Sequence, residues 1–207
     1  MESNRTPKPY KLYPNVQIGK KAVIGDYVVI GEPPKGIKPG ELATVIGAGA
    51  VIRSHTVIYA GNVIGNNFQT GHHVLLREEN IIGDDVSVGT SSVVEHHVKI
   101  GNGVRIHTQA FIPETTILED GVWIGPHVVI TNASYPLSKN VKKELKGAHV
   151  KKNAKIGANA TLLPGITVGE NALVGAGSVV THDVPRNKVV VGNPSHIIND
   201  VSKLPYE

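Results

Sequence analysis

A chain of 207 residues suffices for one domain of ordinary size or two small ones, and an aromatic content of 4% leaves its core to Ile, Val, Leu and Ala. With 23 Gly and 13 Pro that composition disfavours an ordinary sandwich or helical bundle, and the lack of Cys excludes disulfides, cysteine-ligated zinc and thiol catalysis. A balance of +4 is too mild to point to nucleic acid by itself and would suit a phosphorylated ligand.

The opening residues, MESNRTPKPY, lack the apolar stretch and cleavage site of a signal peptide, and no apolar run approaches a membrane span, so a cytoplasmic protein is expected. After an N-terminal extension (1–11), the segment 12–185 is organised by a period of six, first clear as IGKKAV and IGDYVV from Ile18. An insertion over 32–45 interrupts it. From Ile46 the hexads run unbroken to Tyr135, a second insertion covers 131–155, and the register resumes at Ile156 before a C-terminal tail (186–207).

Of the 23 hexads, 22 begin with Ile, Leu or Val, with Thr70 the exception, and the second position is Gly in 13. A large inward residue at the first position and a small one at the fifth lie two apart across the hexad boundary, the spacing of a strand, whereas a helix would need a 3.6 period. The Gly and the variable residues after it bend the chain between strands. One hexad cannot cover its own apolar side, so the units stack into a solenoid around a narrow aliphatic prism, which leaves no room for rings.

The tandem [Ile/Val/Leu]-Gly-x-x-[Ala/Val/Ser/Thr]-x pattern, broken by polar insertions and closed by VVVGNPSHII, closely resembles the hexapeptide-repeat acyltransferases. That resemblance covers about residues 12–200. It implies an all-β fold, a left-handed parallel β-helix with three hexads per coil and two inserted loops, a homotrimer, and an acyl-CoA donor bound between subunits. The handedness comes from the resemblance alone.

With three hexads per coil, residues 18 apart stack and the turns sort into three corners. The first carries Ala48-Gly49, Asp84-Asp85, Asn102-Gly103, Ala158-Asn159 and Ala176-Gly177, which read as simple turns. The second carries Ser54-His55, His72-His73, Thr90-Ser91 and Thr108-Gln109, and the third carries Glu78-Glu79, His96-His97, Glu114-Thr115 and Asn132-Ala133. Both insertions leave from the third corner, five coils or about 24 Å apart, with His96 midway. Glu78 stacks below His96 and Glu114 above, which favours a protonated, oriented imidazole, and Arg77 stacks under Glu95 as an expected ion pair.

SSVVEH (91–96) is similar to the segment that carries the catalytic His in sugar-nucleotide N-acetyltransferases, and Val104–Ser138 resembles the N-acetyltransferases acting on nucleotide-linked amino sugars in surface-polysaccharide pathways. The likeness implies His96, Glu114 and Asn132 as catalytic candidates and Glu78, His107 and Gln109 as substrate-binding ones. Acetyl-CoA is the implied donor, met by Gly157, Ala158, Ala176 and Lys188. Seven Lys between 139 and 155 are read as a solvated face or, as a group, as a contact for phosphates. Other readings are an O-acetyltransferase, a carbonic anhydrase-like zinc protein and a non-catalytic trimer. No two of the ten His are five residues apart, the spacing that zinc scaffold uses, and no metal is expected.

Overall fold

In a computed structural model, which describes residues 9–205, very short parallel strands stack in three sheets of nine, eight and ten strands. As far as Val179–Val180, successive strands pass from sheet A to B to C and back, so each full coil adds one strand to every sheet. The 18-residue stacking is realised as backbone pairing: Leu75 lies beside Val93 in sheet A, Ile81 beside Lys99 in B, and Ser87 beside Arg105 in C. The winding is that of a left-handed parallel β-helix. Among the described residues no helix is long and apolar enough to cross a membrane.

The core is a column of first- and fifth-position side chains, exemplified by Ile82, Val86, Val88 and Val94, all nearly or fully buried. Burying each aliphatic residue contributes about 1.5–3 kcal/mol gross, repeated coil after coil. One coil departs from the pattern. Its fifth position holds Phe68, which is 0% exposed, so the prism does admit a ring. The reason is local: Ala50 stacks below Phe68 and the short Thr70 follows it, leaving volume that a benzyl group fills.

Thr70, the exception at the first position, is buried with its hydroxyl satisfied. Its Oγ1 accepts from Arg53 N (2.9 Å) and lies 3.2 Å from Thr56 Oγ1. Replacing it by Val removes both contacts, and the expected outcome is a loss of about 1 kcal/mol in urea unfolding. An unchanged or higher midpoint would show that continuing the aliphatic stack outweighs the hydroxyl.

Corners turn through a left-handed residue, among them His55, His73, Glu79, His97 and Gln109, all with φ of 55° to 61°. Among the described residues only two fifth positions, Asn62 and Asn80, break the small-or-apolar rule with an amide. Buried Asn62 and Asn80 donate from Nδ2 to the Arg77 carbonyl at 2.8 Å each, while their Oδ1 atoms accept from Asn80 N and Val98 N. This amide ladder braces the third corner directly below His96.

Both excursions do leave from the third corner. The second, however, is shorter than the hexad count implied. Strand His149–Val150 pairs with Ile117–Leu118 in sheet B, and Lys146 N donates to Asn132 O (2.9 Å) to close the loop. The repeat therefore resumes with VKKNAK at Val150, not at Ile156, and Lys151, Lys152 and Lys155 belong to a regular coil. Strand Lys155–Ile156 lies in sheet C, so Ala158-Asn159 and Ala176-Gly177 sit at the second corner rather than the first. The first strand in sheet A begins at Lys11, and most of the expected N-terminal extension, residues 1–8, lies outside the described residues. At the other end the expected tail continues the fold: Lys188–Val191 joins sheet C in parallel, and His196–Asp200 runs antiparallel to it.

Candidate active site

At the third corner each coil contributes two outward residues, and the column through Glu78, His96, Glu114 and Asn132 brings chemistry from four coils into line. His96 Nε2 lies 2.5 Å from Glu114 Oε2, and its Nδ1 lies 3.5 Å from Glu95 Oε2. Nδ1 is buried and makes no hydrogen bond. The imidazole thus stands between two carboxylates, Glu114 on the Nε2 side and Glu95 on the Nδ1 side. Asn132 stands one coil above Glu114 at the root of the second excursion, where its carbonyl closes the loop. Among the described residues no hydrogen bond or ion pair links either excursion to His96.

Glu78 does not share the imidazole with Glu114. Its two oxygens take Arg77 Nε and Nη2 at 2.8 and 2.9 Å, and Arg77 Nη1 reaches Glu95 Oε2 at 3.4 Å, the ion pair expected from the sequence. A planar fork on the same corner matches a carboxylate better than an imidazole one coil away. Glu78 is therefore part of the wall and Glu114 the residue that orients the ring. Burial pushes the Glu78 carboxyl up, but the Arg77 donors and the nearby His96 more than offset it and hold the group below the usual glutamate range. Such a depressed value contributes stability that is complete above the unfolded glutamate value and is lost as pH falls through the folded one. Thermal midpoints measured from pH 6 to pH 3 should fall less steeply in Glu78→Gln than in the unaltered protein; parallel curves would refute the assignment.

His107 and Gln109 stand on the second corner, across a sheet from His96, so one chain does not bring the two sets together. The candidates Gly157, Ala158 and Ala176 share that second corner. Lys188 Nζ is held by Asp200 at 2.9 and 3.0 Å across the C-terminal hairpin. Among the described residues no group of three or more His, Asp or Glu side chains is placed to hold a metal ion. What the residue pattern did not reveal is Arg53 and Arg105, which stacking brings to one groove beside His107. Their common signal is a non-glycine cation bordering glycine corners.

A six-residue repeat wound into three parallel sheets defines the class, a hexapeptide-repeat β-helix. Within it, residues 81–114 and 147–182 match the family described as bacterial transferase hexapeptide (six repeats). A galactoside O-acetyltransferase of Lactococcus lactis is 37% identical over 93 residues, covering 42% of this chain and 45% of the relative. A galactoside O-acetyltransferase of Escherichia coli is 32% identical over 92 residues, again covering 42% and 45%. The chain thus spans about half the length of these curated relatives. Among solved structures, the UDP-N-acetylglucosamine acyltransferase of Francisella novicida superposes with a TM-score of 0.65 over 94% of this chain and 70% of that one at 17% identity, a likeness of fold.

Proposed function

We propose that this protein is an acetyl-CoA-dependent acetyltransferase that acetylates a sugar acceptor, working as a homotrimer in the cytoplasm. The observation that carries the reading is the Glu114–His96 contact at the corner from which both excursions leave. An acceptor hydroxyl or amine attacks the thioester carbonyl while His96 takes its proton. The tetrahedral intermediate then collapses, the C–S bond breaks, and the same proton passes from His96 to the departing thiolate. A corner backbone N–H serves the developing oxyanion. Glu114 holds the ring, and Asn132, one coil above it on the same corner, serves an acceptor hydroxyl.

The named function of the galactoside O-acetyltransferases supports a hydroxyl acceptor. The likeness of Val104–Ser138 to nucleotide-linked amino-sugar N-acetyltransferases of surface-polysaccharide pathways supports an amine, and that is the second reading. An outward stripe on sheet A, with Leu75, Val93, Phe111 and Val129 in register, supplies an apolar face for neighbouring subunits. The test is release of free thiol from acetyl-CoA against two acceptor sets, hydroxylated sugars and nucleotide-linked amino sugars. Turnover with one set names the acceptor atom; thiol release at the hydrolytic background with every acceptor would refute the transferase reading.

A further inference from the structure

The second corner holds a groove of about 360 Å³ that the acetyl-transfer chemistry described above does not use. Its floor forms where two glycines, Gly71 and Gly89, occupy successive coils in the column that Arg53 begins below and His107 ends above. Neither position has room for a side chain: a Cβ would lie 2.3 Å from Thr90 N at Gly71 and 2.4 Å from Thr108 N at Gly89. The column is therefore indented over two coils with a basic or imidazole side chain at either end, about 14 Å apart at the backbone. Arg105, two residues before His107, lines the same indentation, and His72 and Thr90 form its wall.

The charge here is unbalanced in one direction. No carboxylate lines the groove. Arg53 donates from Nη1 to Thr70 O at 2.6 Å, and among the described residues neither Arg53 nor Arg105 takes part in an ion pair. At the third corner, by contrast, Arg77 is bracketed by two glutamates. His107 adds an independent sign: its Nε2 is buried without a hydrogen-bond partner, while its ring lies 4.7 Å from Trp123. A buried ring nitrogen left open in a wall of donors is satisfied by a ligand oxygen.

We infer that this groove binds the diphosphate of a nucleotide, with Arg53 and Arg105 forking onto its oxygens and Trp123 flanking the site. Two sources carry that chemistry, the adenosine diphosphate portion of acyl-CoA and the diphosphate of a nucleotide-linked acceptor. Its catalytic use rests on the transferase reading, but binding requires no turnover. Calorimetric titration of the whole protein with uridine diphosphate and, separately, with coenzyme A distinguishes the sources.

At least one probe should bind more weakly with added salt, and Arg53→Gln and Arg105→Gln should each weaken it about tenfold, the latter with an unchanged thermal midpoint. Arg105→Lys, which keeps the charge without the fork, should fall between. A response confined to uridine diphosphate assigns the groove to the acceptor, and one confined to coenzyme A assigns it to the donor. If neither probe binds, or if both Gln variants bind both probes as the unaltered protein does, the inference is overturned. Binding without thiol release would overturn the transferase reading alone, and thiol release with unaltered binding in both variants would overturn the groove alone.

Discussion

His96→Ala lowers kcat/KM for acetyl transfer by about 10²–10⁴-fold at neutral pH, or about 3–5 kcal/mol of barrier, the range a positioned general base supplies. The geometry sets this expectation: the imidazole is held by Glu114, whose Oε2 lies 2.5 Å from Nε2, at the corner from which both excursions leave. Glu114→Gln keeps the shape but loses the charge that holds the ring, and a smaller loss of about tenfold is expected, falling on kcat rather than on KM. A purely structural histidine would move the thermal midpoint instead. Wild-type kcat/KM in His96→Ala would end the base assignment, whatever the midpoint does.

Phe68→Ala destabilises the protein by about 3–5 kcal/mol, because a fully enclosed benzyl group leaves a cavity that the stacked coils above and below cannot close. For a chain of this size that corresponds to a fall of roughly 6–20 °C in thermal midpoint at fixed protein concentration. Ala50 below and Thr70 beside it have no spare atoms to lean in. Phe68→Leu, which replaces most of the volume, should recover more than half. A loss under about 1 kcal/mol for the Ala variant would mean that the coil collapses locally, and circular dichroism melts decide between the two.

The coils were legible in the sequence because period and burial coincide: a residue every six positions faces inward, and pairs such as Leu75 and Val93 meet as 18-residue stacking requires. The Arg77–Glu95 pair was legible for the same reason, being stacked neighbours. The second excursion was not. VKKNAK carries Lys where glycine is usual and follows a loop, so periodicity alone cannot say how many residues the loop removes from the register; only the pairing of Ile117 with His149 does. That slip carried Gly157, Ala158 and Ala176 to the wrong corner. Glu78 shows a second limit. Spacing puts it as near His96 as Glu114, yet the competition for its oxygens is settled by the adjacent guanidinium, a matter of side-chain geometry that column counting does not contain. Arg53 and Arg105 are 52 residues apart, and nothing marks them as a pair until three coils are stacked.

The reversed strand His196–Asp200 bears on how copies of the chain meet one another. Every coil of a parallel helix repeats the same strand direction and spacing, so an uncovered terminal row of N–H and C=O groups is a template on which the first coil of another copy could continue, and the next upon that. On sheet C the row is taken up by a strand running the opposite way, locked by Lys188 and Asp200. A coil arriving in the common strand direction would meet it antiparallel and so could not continue the parallel ladder. The hairpin thus works against fibre growth along the prism axis on that sheet.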